Sequence, residues 1–315
     1  MTHFRATHVE CRAIGEEVGE QARREGLDRC TAGGMAAPVV ASLLLLGLIV
    51  AGGQAAGPLW AVLVLAAGYC NVVLAFVGHD AAHGAYSPNR AANELAGMWS
   101  LAHSFTTLRG FRALHQAHHR HTGFDEDPTG DSPRHLGQVN LISYCLFILV
   151  PLGFPLFVVL PSWLGGFGYQ PHVFPPEERA GIRFNCLFVL AHQAAFYGLA
   201  SWLGGPSGPG FALAGFVCGL WLTTMMNALA HAGVQTYTDC RLCNTRTIRS
   251  GRLLGLMTAN GGYHVEHHLL PHVPWYHLPR LHALIRERGG SAFVGESYLG
   301  LHLTMASRYA RGGAR

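Results

Sequence analysis

The sequence predicts an all-α integral membrane protein. Its expected parts are four transmembrane helices in two hairpins, a re-entrant or interfacial segment between them, and a helical cap on the cytoplasmic face. Three observations predict this. Half of the 315 residues are hydrophobic and only 13% are charged, against roughly 25% in a typical soluble domain. The charge-free stretches come in pairs, each joined by glycine and proline. The polar remainder is rich in histidine, with 20 His beside 22 Arg and no Lys. High apolarity excludes a disordered chain, and eight sparse Cys exclude a disulfide framework. A net charge of +4 gives no case for a nucleic-acid partner.

The first pair of spans follows from a gap in charge. After Arg29 the next charged residue is Asp80. Within that gap, residues 36–53 and 59–77 are apolar runs of 18 and 19 residues. At about 1.5 Å rise per residue, each run matches a hydrocarbon core of about 30 Å. The run Gly52-Gly53-Gln54-Ala55-Ala56-Gly57-Pro58 between them reads as a tight turn. The second pair covers 184–203 and 211–229, joined by Gly204-Gly205-Pro206-Ser207-Gly208-Pro209-Gly210. A polar segment precedes the first run and a second run follows at once, which is not the layout of a signal peptide.

Residues 139–164 are also apolar, but Pro151, Gly153, Pro155 and Pro161 interrupt them. A fifth crossing there would put the histidine clusters on opposite sides of the bilayer. The stretch is therefore read as a broken segment that returns to its own side. Four crossings leave both termini on one face. That face carries the arginines, so the positive-inside rule makes it cytoplasmic. The chain then divides into a cytoplasmic segment 1–35, a membrane domain 36–290 and a cytoplasmic tail 291–315. The first of these is a candidate amphipathic helix on the bilayer surface.

The histidines are grouped. His79 and His83 follow the second apolar run at i, i+4. His115, His118 and His119 repeat as His264, His267 and His268. On a helix, positions i, i+3 and i+4 share a face, so each group aims its imidazoles at one point. Neutral imidazole binds first-row transition metals. Eight imidazoles exceed the four ligands of one zinc and suit two metals. All-nitrogen sites with open positions suit iron that activates oxygen, and copper and zinc accept the same ligand type. The place that follows the second hairpin holds Asn227-Ala228-Leu229-Ala230-His231, again at i, i+4. This register makes His231 a ligand candidate. Asn227 is then a weak or water-mediated ligand, or else a helix cap.

In this order, HxxxH, HxxHH and HxxHH between helical hairpins resemble the integral-membrane fatty acid desaturase superfamily, which includes acyl desaturases, alkane hydroxylases and carotenoid ketolases and hydroxylases. The stretch from Tyr263-His264-Val265-Glu266-His267-His268-Leu269 to Pro274 is similar to that of acyl-lipid desaturases. The resemblance spans residues 40–282. It implies four membrane helices and a cytoplasmic diiron site held by nine histidines, with Asn227 and His231 part of it. It also implies O2 as co-substrate and electrons from a partner, a ferredoxin-type donor with its reductase. The implied reaction introduces a double bond into a fatty acyl chain. The boxes around His79-Asp80-Ala81-Ala82-His83-Gly84 and His118-His119-Arg120-His121-Thr122-Gly123 also look like those of carotenoid ketolases. Hydroxylation or ketolation of an alkyl, acyl or carotenoid substrate is therefore the alternative.

Metal-bound histidine usually donates its other ring N–H to a carboxylate or carbonyl. Asp80 and Glu266 lie inside the first and third boxes, Asp127 follows the second, and these three are the candidate partners. The family pattern has an Asp-Pro at Asp127-Pro128. Cys240-Arg241-Leu242-Cys243 is a single CxxC, which cannot complete a four-thiolate site. It reads as two cytosolic thiols. A metal-transporting membrane protein is the remote alternative, but transporters place ionisable groups near the midplane, and of the histidines only His192 lies well inside an expected span.

Overall fold

The computed structural model describes residues 8–151, 153–227, 229–289 and 296–311, with the side chains of residues 8, 9, 226, 227 and 289 outside that set. The described residues are helical, and their β-pairing is confined to the isolated bridges Thr247–Tyr263 and Arg249–Ser297. In chain order the helices are α1 (His8–Arg24), α2 (Ala32–Gly52), α3 (Gly57–Ala82), α4 (Arg90–Ala102), α5 (Leu108–His121), α6 (Pro133–Leu136) and α7 (Leu141–Leu149). They continue with α8 (Leu160–Leu164), α9 (Arg179–Gly204), α10 (Gly208–Asn227), α11 (Arg252–Met257), α12 (His264–Leu269), α13 (Leu278–Gly289) and α14 (Tyr298–Ala310). The chain forms two compact units. One, the apolar unit, comprises Cys30–Leu114 and Pro151–Thr224. The other, the histidine unit, comprises Met1–Arg29, His115–Val150 and Met225–Arg315.

The apolar unit is built on three stretches long and apolar enough to cross a membrane: Ala32–Gly52, Gly57–Ala82 and Pro176–Met225, with mean hydropathies of 2.3, 2.2 and 1.4. The third contains two helices, α9 and α10, parted by a 3-10 turn at Gly205–Ser207. Thr31 starts α2 by accepting the Gly34 N–H at 3.1 Å, a standard way to satisfy a free helix-end donor. The turn before α3 uses Gly57 at φ +61°, followed by Pro58, whose ring suits the first helical turn. The helices outlast the apolar runs: α3 continues five residues past Val77, and α9 begins five residues before Phe184. Backbone hydrogen bonding extends a helix regardless of side-chain polarity, so hydropathy alone under-reads its length. Leu43, Leu187 and Trp202 point outward, Trp202 with 79% of its surface exposed. Such an apolar exterior suits lipid rather than water.

Small residues set the helix crossings in this unit. A Cβ on Gly53 would lie 2.3 Å from the Gly204 carbonyl oxygen, and one on Gly215 would lie 2.7 Å from Ala67 Cβ. Close approach through small residues is the usual packing device between membrane helices. The core beneath them gathers Leu45, Ile49, Leu74, Val77 and Phe211.

The proline-rich stretch 139–164 is broken, as the sequence predicts. Asn140 caps α7 through the Ser143 N–H at 2.9 Å, and the backbone turns extended at Val150. A π-helical turn at Pro155–Val159 then leads into α8 and a 3-10 turn at Gly165–Phe167. Pro155 and Pro161 lack the N–H that a continuous helix needs. No helix among these described residues reaches 18 residues.

In the histidine unit, α1 buries Cys11, Val18 and Ala22 in a core with Leu278, Leu281, Leu284 and Ile285 of α13. Arg280 clamps Glu25 with two hydrogen bonds of 2.7 Å. The apolar face of α1 is thus spent on protein. The expected C-terminal tail contains α14, whose Leu301, Met305 and Tyr309 pack with Tyr144, Leu229 and Ile248. Replacing Gly53 by Ala should destabilise the protein by about 1–3 kcal/mol, because its neighbour is backbone and cannot yield. Gly47→Ala, where a Cβ meets nothing within 4 Å, should not. Thermal melting in detergent compares the two, and equal melting temperatures would refute the packing argument.

Candidate metal centre

Seven of the nine predicted histidine ligands lie in the histidine unit. His115, His118 and His119 occupy the last two turns of α5. His264, His267 and His268 sit on α12. His231 follows α10. The helical spacing does what the sequence predicts and turns each triad to one side.

The first group is His118, His231, His264 and His268, whose donor nitrogens all lie within 4.8 Å of one another. His231 Nε2 is 2.8 Å from His264 Nε2, and His268 Nε2 is 3.1 Å from the same atom. The opposite nitrogens are held from outside. His118 Nδ1 meets Asp127 Oδ2 at 2.8 Å. His231 Nδ1 meets the Asn244 carbonyl oxygen at 3.4 Å, and His268 Nδ1 meets Thr122 Oγ1 at 3.4 Å. A neutral imidazole has one N–H and one lone pair. With the N–H outward on Nδ1 in His231 and His268, their Nε2 lone pairs both point toward His264 Nε2, where a cation can accept them. The residues therefore fit a metal ion.

Electrostatics agree. Burial, reinforced by the neighbouring His118, pushes His231 down to about 3. Burial and the surrounding histidines hold His268 well below the usual range. Both rings are kept in the neutral, ligating form. His118 differs: burial pushes it down, but the Asp127 carboxylate more than offsets this and the net shift is upward. Burial likewise raises Asp127, yet His118 and Thr129 outweigh it and hold its carboxyl below the usual value. Thr129 contributes its N–H at 2.9 Å and its hydroxyl at 2.7 Å to Asp127 Oδ1. Asp127 is thus an oriented carboxylate behind the His118 ring, as is usual behind a histidine that binds metal.

The second group lies alongside. His119 Nε2 is 3.1 Å from His115 Nε2 and 2.9 Å from His267 Nε2. The rings of His119 and His268 stack with centroids 4.2 Å apart, so two nitrogen clusters stand next to each other.

His79 and His83 belong to the apolar unit. His79 lies in the last turn of α3 and His83 caps it, with ring centroids 5.0 Å apart. Asp80 is buried, with Oδ1 3.4 Å from His79 Nδ1. Arg112 Nε donates to the Ala82 carbonyl at 3.2 Å and ties this helix end to α5. Asn227 closes α10, and its side chain lies outside the described residues. Glu266 is fully buried and turns to Thr247 Oγ1 at 2.7 Å and His282 Nδ1 at 2.5 Å. It anchors α12 to its neighbours.

Sequence reasoning missed Thr122, Thr129, Arg241 and Asn244. Arg241 Nη1 donates to the His268 carbonyl at 3.2 Å, and Asn244 Nδ2 donates to the Thr122 carbonyl at 3.1 Å. Only Thr129 had a signal, since an Asp followed two residues later by a hydroxyl is a common local turn.

The sequence profile of fatty acid desaturases matches residues 29–299. The chain belongs to the fatty acid desaturase family. Within it, the chain is 32% identical over 249 residues to a beta-carotene ketolase of Paracoccus sp. (strain PC1), covering 76% of this chain and 84% of that protein. It is 27% identical over 241 residues to a chloroplastic omega-3 fatty acid desaturase of Glycine max, covering 70% and 52%. An sn-1 acyl-lipid omega-3 desaturase (ferredoxin) of Synechocystis matches at 29% over 133 residues, 40% of this chain and 37% of that one. For this desaturase-family centre, Asp127→Asn keeps the shape but removes the charge behind His118. Metal affinity should fall about 10–100-fold. Titration of the metal-free protein with ferrous iron measures it, and an unchanged affinity would show that Asp127 does not orient a ligand.

Proposed function

We propose that the protein oxidises an unactivated C–H bond of a hydrophobic, membrane-dissolved substrate with O2 and electrons from a ferredoxin-type partner. The observation that carries this reading is the pair of adjacent clusters of inward-facing Nε2 atoms on α5, α12 and His231. In this reading His79, His83, His115, His118, His119, His231, His264, His267 and His268 hold two irons, and Asn227 is an additional weak ligand. When bound, iron supplies oxygen activation and hydrogen abstraction. The protein's own part is ligation and position. Asp127, Thr122 and the Asn244 carbonyl fix the rings. Arg241 fixes the backbone of α12. The burial of His231, His267 and His268 keeps water from the ligands. The apolar unit supplies four membrane crossings, α2, α3, α9 and α10. Arg241 and Arg249 form part of a basic cytoplasmic face that attracts an acidic electron carrier.

Oxygenation of a carotenoid-type ring is favoured as the reaction, because the ketolase relative is matched over 84% of its length. Acyl desaturation is the second reading. It is supported by the omega-3 desaturase relatives and by the stretch from Tyr263 to Pro274. Co-expression in a carotenoid-producing host with a ferredoxin and its reductase, followed by mass spectrometry of carotenoids and acyl chains, separates them. The expected product is a carotenoid that has gained one oxygen and lost two hydrogens. An acyl chain short of two hydrogens supports the second reading. No change in either class, with the protein inserted and loaded with iron, would overturn the proposal.

A further inference from the structure

The structure places a third cysteine beside the CxxC. Cys11 of α1 comes from 229 residues away and its sulphur is bonded to that of Cys240, with Cα atoms 5.8 Å apart. Cys243 Sγ lies 2.8 Å from Cys240 Sγ and 3.8 Å from Cys11 Sγ. All three are buried among Val18, Leu242, Val265 and Leu281. The Cys243 and Asn244 N–H groups both bond the Cys240 carbonyl, at 2.8 and 3.0 Å, and close the CxxC into one tight turn.

We propose that Cys11, Cys240 and Cys243 form a zinc site distinct from the histidine centre. A disulfide needs two sulphurs, and here a third touches both. Three sulphurs from two sequence-distant segments, one pair at CxxC spacing, are the donor set of a structural zinc site. Tetrahedral zinc, with Zn–S of about 2.3 Å, sets its sulphurs about 3.8 Å apart, the separation found between Cys11 and Cys243. Zinc also removes the cost of burying thiolates in an apolar core. Zinc in such sites takes four ligands. Cys11, Cys240 and Cys243 are the protein donors of this site among the described residues.

The Cys11–Cys240 disulfide is the oxidised, metal-free form of this cluster. A dithiol reductant gives it two electrons and two protons, is itself oxidised to a disulfide, and leaves two thiols. Zinc then displaces the protons of the three thiols to solvent. The site has a role in the fold. It joins α1 to the loop that carries Arg241 and Asn244, the residues behind His268 and His231. Zinc therefore braces the loop that holds His231 and His268. The inference does not depend on the reaction proposed above.

The test uses the full-length protein purified in detergent under reducing, anaerobic conditions. Wild type should contain one zinc per chain in addition to any iron. Cobalt substituted for that zinc should show thiolate-to-cobalt charge-transfer absorption, which an all-imidazole site cannot give. Cys243→Ser should weaken the band and lower zinc affinity about 10-fold or more. The wild-type cobalt spectrum decides the matter even if a variant does not fold. The proposal is overturned if alkylation and mass spectrometry find Cys11–Cys240 still disulfide-bonded with Cys243 free and no zinc bound. It is also overturned if zinc is present but cobalt shows no thiolate band.

Discussion

The histidine unit is organised around a convergence of ring nitrogens. The Nε2 atoms of His231 and His268 lie 2.8 and 3.1 Å from that of His264. Lone pairs converging in this way can be shared with a metal ion at their centre. Asp127, Thr122 and the Asn244 carbonyl take the outer nitrogens, so the rings cannot turn their lone pairs away. Burial keeps His231 and His268 neutral, so protonation does not take up their lone pairs near neutral pH. The supporting residues matter for this reason: each removes an alternative to the ligating orientation.

Much of the architecture was legible in the sequence because it rests on short-range rules. Long charge-free runs must be helical in a bilayer, since an apolar medium offers the backbone no other partners. The Gly and Pro clusters at 52–58 and 204–210 coincide with breaks between helices. Histidines at i, i+3 and i+4 share a face whatever the tertiary structure, so the triads on α5 and α12 could be identified before any coordinates. Pro151, Pro155 and Pro161 marked the broken stretch for an equally local reason.

What was not legible depends on contacts between distant segments. Asn244 is an ordinary loop amide until its carbonyl meets His231. Glu266 sits inside the third box, and the sequence offers it as a partner for ligands. Its carboxylate instead bonds Thr247 and His282, which lie 19 and 16 residues away. The CxxC looked incomplete because its third sulphur enters from α1. The C-terminal residues looked like a tail because α14 is short and only modestly apolar, and its place in the core depends on Tyr144 and Leu229. Composition and periodicity show which residues are suited to a role, whereas long-range packing shows which partner each one has.

Family membership and the twin nitrogen clusters both support the metal-dependent oxidation proposed above, in which the outcome at carbon depends on where the substrate lies. The central claim is that the histidines hold a pair of irons. Mössbauer spectroscopy with iron quantification on the isotope-enriched, full-length protein tests it most directly. The account predicts two irons per chain, coupled to each other and both in nitrogen-rich environments. A single uncoupled iron, or a protein that binds none while folded, would contradict it.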